Sequence, residues 1–120
     1  MPEASHERAV QAAKDQSLFR EVNEQMRELN EAFETATRES RFVCECANRD
    51  CLDHVSVTLE EYEEIRRVPT HFVVAPGHVY RDVERVVWAV EEHVVVEKVG
   101  DAGIAAFKLD PRLRHRPSEQ

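Results

Sequence analysis

Apolar side chains recur every three or four residues in part of the first third of the chain, as they do on one face of a helix. No glycine or proline interrupts the segment from Ser5 to Thr37, and residues with high helix propensity dominate it. We therefore predict one long helix over this segment, with Ser5 as its N-cap. Its apolar stripe consists of Phe19, Val22, Met26, Leu29 and Phe33.

This stripe leaves two alternatives open. It can pack on the sheet of its own domain, or it can form a seam with a second copy of the chain or a docking face for a protein partner. The regular part covers about two heptads, which is shorter than the three or four typical of a coiled coil. We favour packing within the domain. The half from Ser5 to Ser17 has few large apolar residues and is expected to project from the fold.

A second helix is predicted after a short β-branched run at 55–57, which indicates a strand. Thr58 is followed three residues later by Glu61, a spacing typical of a capping box that satisfies two amide groups at a helix N-terminus. The helix should run from Leu59 to Val68, because Pro69 cannot continue it.

The rest of the chain is rich in valine, which favours strands. A strand is predicted at His71–Ala75, and two more between 83 and 99 should form a hairpin around Glu91–Glu92. The valine spacing in the first of these runs also fits a helix, but the enrichment in β-branched residues favours the hairpin. A turn at 100–103 should precede a short final element at 104–109.

These elements predict an α+β fold, in which a long N-terminal helix precedes a small, mainly antiparallel sheet with one short helix. We divide the chain into an N-terminal helix at 1–37, which could serve in dimerisation or docking, an α+β domain at 38–110, and a flexible basic tail at 111–120.

The charge balance narrows the choice of partners. Among 120 residues, 24 are acidic and 16 basic, so the formal net charge is −8. An acidic body is a poor match for a phosphate backbone, so nucleic acid is not an expected partner. No apolar run approaches the roughly 18 residues of a transmembrane helix, and the N-terminus lacks the layout of a signal peptide. We expect a soluble cytoplasmic protein.

All three cysteines lie within eight residues, as Cys44, Cys46 and Cys51 in the pattern C-x-C-x4-C. Cysteine clusters in a cytosolic chain are more often metal sites or redox sites than disulfides. Residues i and i+2 of an extended segment point the same way, so the first two can face one ion. Three thiolates and one histidine form a standard structural zinc set. The fourth ligand could be the local His54 or the distant His78, which follows a Pro-Gly turn.

Several motifs in the same order resemble a family of small actinobacterial proteins with the pattern F-x-C-E-C…C…EYExVR…PGH…VVEK. The resemblance covers Leu18 to Arg112, and its segments are LFREVNEQMRELNEAF, FVCECANRDC, VTLEEYEEIRRVPTHFVVAPGH and HVVVEKVGDAG. It implies the ligand set Cys44, Cys46, Cys51 and His78, because the PGH histidine belongs to the pattern. We know no activity of that family, so the resemblance implies no function.

The sequence contains none of the common catalytic or nucleotide-binding motifs, so we do not expect an enzyme. The favoured hypothesis is a zinc-stabilised interaction or regulatory module that uses its N-terminal helix to dimerise or to bind a protein partner. The alternatives are a redox-responsive zinc–thiolate sensor and a small metalloenzyme whose zinc keeps an open position.

Overall fold

The structure is a computed structural model that describes the backbone of residues 2–33 and 39–114 and the side chains of residues 5–29 and 40–112. Its elements follow in the order α1 (Pro2–Phe33), β1 (Glu39–Val43), β2 (His54–Thr58), α2 (Leu59–Arg66), β3 (His71–Val74), β4 (Glu84–Ala89), β5 (Val94–Lys98), α3 (Gly100–Leu109) and α4 (Pro111–Arg114).

The strands form two small antiparallel sheets, which confirms the predicted α+β class and divides the predicted sheet in two. One sheet is the hairpin of β1 and β2, in which Phe42 lies opposite Val55. The other has the order β3-β5-β4. The chain segment after β1 connects them, because the Glu45 amide donates to the Val73 carbonyl of β3 at 2.8 Å. The two sheets therefore share one core.

The predicted hairpin between 83 and 99 is confirmed, and the helical alternative is wrong. β4 and β5 pair antiparallel, with Val86 opposite Val96 and Trp88 opposite Val95. The register shifts between Val86 and Trp88, so Val87 forms a β-bulge. The three valines of β5 are buried, and Val96 is fully buried.

The capping box at the start of α2 is also confirmed. The Glu61 amide donates to the Thr58 hydroxyl at 2.9 Å, and the Thr58 amide donates to the Glu61 carboxylate at 2.8 Å. The helix ends at Arg66, two residues before the predicted end at Val68.

The turn predicted at 100–103 is wrong, because α3 already begins at Gly100. Gly103 lies inside this helix, where an added Cβ would come within 2.9 Å of the Lys98 carbonyl oxygen. This glycine therefore permits close packing of α3 on the end of β5, which is a different role from that of a turn residue.

α1 begins at Pro2, so the prediction of Ser5 as N-cap is wrong; the predicted end at Thr37 lies outside the described residues. The half of the helix that was expected to project is packed against α3 and buries Ala9, Ala12 and Ala13. Small side chains allow the two helices to approach closely, which compensates for the absence of large apolar residues.

The predicted apolar stripe of α1 is only partly buried. Phe19 and Met26 are half-buried, whereas Val22 and Leu29 are 44% and 64% exposed. The side chain of Phe33 lies outside the described residues. The buried face of the helix instead carries polar side chains, namely Gln16, Arg20 and Asn23.

Within residues 2–33 and 39–114, no helix combines the length and the apolar composition that crossing a membrane requires.

At the C-terminal end of the described chain, Arg112 forms hydrogen bonds with the carboxylates of Glu24 on α1 and Glu63 on α2.

Candidate metal centre

Four predicted ligand residues converge beside the ends of β1 and β3. Cys44 directly follows β1 and donates its amide to the Asp53 carbonyl at 3.0 Å, which extends the β1–β2 hairpin by one residue pair. The loop 47–50 then returns the chain to Cys51, whose amide donates to the Asn48 carbonyl at 3.0 Å. The hairpin and its loop thus place the three thiols together.

The histidine follows β3 of the other sheet. After β3, Pro76 and Gly77 form a turn in which Gly77 has φ 87°, a left-handed conformation that favours glycine. The His78 amide donates to the Ala75 carbonyl at 3.0 Å and closes the turn. The turn therefore directs the imidazole of His78 toward the thiols.

The ligand atoms of Cys44, Cys46, Cys51 and His78 all lie within 4.8 Å of one another, a group that could hold a metal ion. The Nδ1 atom of His78 is 3.6 Å from the Sγ atoms of both Cys44 and Cys51. Zinc–sulfur and zinc–nitrogen bonds of about 2.3 and 2.05 Å, set at a tetrahedral angle, place the two ligand atoms about 3.6 Å apart. The spacing therefore fits a tetrahedral centre.

Two further groups, the Asp53 carboxylate and the Ala75 amide, contact these ligands and orient them. The Nε2 atom of His78 lies 3.0 Å from the Asp53 carboxylate, so a proton on Nε2 leaves the Nδ1 lone pair directed at the thiols. The Ala75 amide donates to the Cys44 sulfur at 3.1 Å, a contact that stabilises a thiolate. Neither partner is apparent from the spacing of the cysteines.

Hydrogen bonds and burial shift the pKa values of the three thiols in different directions. The side-chain hydrogen bond between Cys44 and Cys46 lowers the pKa of Cys46 to about 5, and a hydrogen bond with His78 adds to the effect. The same bond to Cys46, together with burial, raises the pKa of Cys44. Burial raises the pKa of Cys51. The lowered pKa of Cys46 favours its thiolate, which is the form that binds metals.

His54, the local alternative, is not part of this group. It is the first residue of β2, lies opposite Val43 and is exposed. His6, His71 and His93 contact other partners, respectively the Asp101 carboxylate, the Glu97 carboxylate and the Ser56 carbonyl. His115 lies outside the described residues.

Between the two neighbouring cysteines, Glu45 points to the opposite side and is fully buried. Its carboxylate accepts hydrogen bonds from Arg20 at 3.1 Å, from Asn23 at 2.9 Å and from the Tyr62 hydroxyl at 3.1 Å. The Val73 amide donates to it at 3.1 Å. Alternation along C-E-C could have indicated this side chain as inward-facing, but its partners are remote in sequence.

The Glu45 cluster continues into an ion-pair network at α2. Arg66 donates to Asp110 through both terminal nitrogens, at 3.0 and 2.7 Å, and to Glu24 at 2.7 Å. The Tyr62 hydroxyl lies between Glu45 and Glu24. Burial and the charge of Glu45 raise the pKa of Tyr62 well above its ordinary value, so this hydroxyl remains a donor.

Chemically, three thiolates and one imidazole can hold a soft or borderline divalent ion and leave no ligand position free. Cys44 and Cys46 are almost fully buried, and Cys51 and His78 are half-buried.

Comparisons of the chain with protein-family models, with curated proteins and with solved structures find no match.

Proposed function

We propose that this protein binds one structural zinc ion through Cys44, Cys46, Cys51 and His78. The observation that carries the proposal is the convergence of the four ligand atoms within 4.8 Å, with sulfur–nitrogen distances of 3.6 Å. Thiolates favour zinc over hard, oxygen-seeking ions such as magnesium. A catalytic zinc needs an open position, and four protein ligands leave none, which favours a structural role.

The ion would join two parts of the fold. Its cysteine ligands belong to the β1–β2 hairpin and its loop, whereas the histidine follows β3 of the other sheet. Bonds from one ion to both parts would add to the stability that the apolar core supplies. Zinc binding would then contribute directly to the free energy of folding.

We further propose that the zinc-stabilised fold acts in the cytoplasm as a protein-interaction or regulatory module, either with a partner or as a homo-oligomer. Support comes from α1, whose outer face exposes Leu18, Val22 and Leu29 at 62%, 44% and 64%. Apolar side chains that follow one side of a helix are typical of helix docking. The order of the motifs also supports membership in the actinobacterial family described above.

Elemental analysis of protein purified without a histidine tag tests the metal. We expect about one zinc per chain, and His78→Ala should weaken zinc binding at least about tenfold. His54→Ala is the matched control and should leave the affinity unchanged, because His54 is exposed and outside the group. If the two variants behave in the opposite order, the proposed ligand set is wrong.

A redox-responsive site is the second candidate, and the half-buried Cys51 favours it because an oxidant can reach that sulfur. Two thiolates would pass two electrons to hydrogen peroxide, forming one disulfide and, with two protons, two water molecules. The lost ligands would release the zinc. We expect release by a few equivalents of peroxide and rebinding after reduction. Retention of zinc under a large excess of peroxide would exclude this candidate.

A further inference from the structure

A groove of about 400 Å³ lies between α2 and the face of the three-stranded sheet that this helix only partly covers. Its apolar walls are formed by Ile65, Val87, Trp88 and Val95. Trp88 is 62% exposed and Val87 is 39% exposed, although both belong to the sheet. A volume of this size accommodates a large side chain together with its neighbours.

The bulge in β4 explains why these two side chains share the groove. β4 lies at the edge of the sheet, and the register shift places Val87 and Trp88 together against one residue of β5. A bulge also disturbs the free edge, which disfavours the addition of another strand there. The exposed apolar surface therefore suits recognition of side chains better than extension of the sheet.

The charge around the groove is negative. Glu61 and Glu64 line it, and no lysine or arginine is among its described lining residues. Burial lowers the pKa of His71, which also lines the groove, so this histidine adds no positive charge at neutral pH. A guanidinium nitrogen of Arg67 lies 3.3 Å from a carboxylate oxygen of Glu64, but both side chains are exposed and solvent weakens such an ion pair.

We propose that this groove binds a segment of a partner protein that carries an apolar side chain next to a lysine or arginine. The apolar walls would bury the anchor side chain, and the carboxylate of Glu64 would pair with the adjacent cation. Trp88 would then be a central contact, since tryptophan is enriched among the residues that dominate binding energies. The inference deepens the proposed interaction role and does not depend on the identity of the metal.

Trp88 is the single tryptophan of the chain, so its fluorescence reports directly on the groove. The probes are three acetylated and amidated tetrapeptides, Lys-Leu-Leu-Lys, Glu-Leu-Leu-Glu and Lys-Ser-Ser-Lys, titrated into metal-loaded protein at low salt. We expect a saturable change with the first peptide and at least about tenfold weaker binding of the other two. Added salt should weaken binding of the first peptide.

Two pairs of matched variants test whether Val87 and Glu64 contribute to peptide binding. Val87→Ser and Glu64→Gln should each weaken binding of Lys-Leu-Leu-Lys about threefold or more. Val99→Ser, which changes an equally exposed valine elsewhere, and Glu60→Gln, on the same helix but outside the groove, should have no effect. Metal content and circular dichroism of each sample verify that the fold is intact, so a failure of the metal proposal is recognised separately.

Three results would overturn the inference. They are no saturable change up to about 5 mM of the first peptide, equal binding of all three peptides, or equal effects of the paired variants. Two other occupants give distinct signals. A second copy of the chain would make Trp88 emission depend on protein concentration together with a dimer in sedimentation. The chain's own segment 115–120 would make its deletion shift the emission of otherwise unchanged protein.

Discussion

Two clusters meet at the segment Cys44–Cys46 and lie on opposite sides of it. On one side, Cys44 and Cys46 join Cys51 and His78 in a group of four ligand atoms. On the other side, the buried carboxylate of Glu45 lies among donors from α1, α2 and β3. Both clusters consist of polar groups inside a small protein, where an unpartnered charge is costly.

The clusters differ in what completes them. The carboxylate of Glu45 receives its partners from the chain itself, with Arg20 supplying the opposite charge at 3.1 Å. The thiol cluster has no arginine or lysine partner among the described contacts, and its four ligand atoms could hold a metal ion. The carboxylate of Glu45 therefore has its counter-charge within the chain, whereas we propose that the thiols obtain theirs by binding zinc. Because the backbone of three residues joins them, a metal that fixes the cysteines also fixes Glu45.

Removal of the metal should cause the largest loss of stability. Chelation at neutral pH is expected to lower the free energy of unfolding by several kcal/mol and to melt the strands between Phe42 and Val99. Part of the helical signal should persist, because α1 contains no ligand and has high helix propensity. Circular dichroism with thermal unfolding measures both. Zinc should restore the transition and magnesium should not; an unchanged midpoint after chelation would show that the metal is not structural.

Glu45→Gln should cause the next largest loss of stability and should leave all four proposed metal ligands in place. The amide keeps the shape of the side chain but leaves the buried Arg20 without a counter-charge, which costs about 3 kcal/mol. Zinc stoichiometry should not change. Urea unfolding of metal-loaded protein measures the loss, with Glu28→Gln on the exposed surface of α1 as control. Arg20→Met in the same chain should recover part of the loss, and strict additivity of the two changes would contradict the pairing.

Local signals in the sequence account for the parts of the fold that were predicted correctly. The capping box at Thr58 and the valine runs of β4 and β5 act within a few residues, so they can be recognised without knowledge of the fold. The same holds for the three cysteines, whose spacing already predicts convergence. The proposed fourth ligand, His78, follows β3 of the other sheet, and only the resemblance favours it over His54.

The sequence predictions are wrong where contacts with residues distant in the sequence determine the local structure. The buried face of α1 could not be found from apolar spacing, because its polar side chains are stabilised by Glu45 and Glu84. Gly103 looked like a turn residue because its close approach to the Lys98 carbonyl appears only in three dimensions. Asp53, which directly precedes β2, is remote in sequence from His78, and no local pattern marks it as the partner of this histidine.

Acid should weaken the thiol cluster at a higher pH than the Arg66–Asp110 ion pair, which belongs to the network that continues from Glu45. The hydrogen bonds and charge of Arg66 outweigh burial and lower the pKa of Asp110 below its ordinary 3.8. A carboxyl group with a lowered pKa contributes stability above its unfolded pKa and loses it as the pH falls through the folded pKa. The stability difference between wild type and Asp110→Asn, about 2 kcal/mol, should therefore stay constant from about pH 8 to 5 and shrink only below about pH 4.

The contribution of the metal to stability should already decrease as the pH falls from about 8 to 5, because the thiols must lose their protons to bind zinc. Urea unfolding across pH, with and without chelator, measures the two contributions on the same protein. A cost of Asp110→Asn that varies between about pH 8 and 5 would indicate that another titrating group controls this network.

The smallest expected effect concerns the hydrogen bond behind the histidine ligand. Asp53→Asn should lower zinc affinity by about tenfold, because the Asp53 carboxylate lies 3.0 Å from Nε2 of His78 and favours the tautomer in which Nδ1 is free to bind. Asp50→Asn is the matched control, since Asp50 belongs to the same loop, carries the same charge and is exposed. Competition with a chromophoric chelator measures both affinities, and the absorption spectrum of the cobalt-substituted protein reports whether the coordination geometry is kept. Equal losses for the two variants would mean that the carboxylates act only through their charge, so that the orientation of His78 is set by the turn at Gly77 alone.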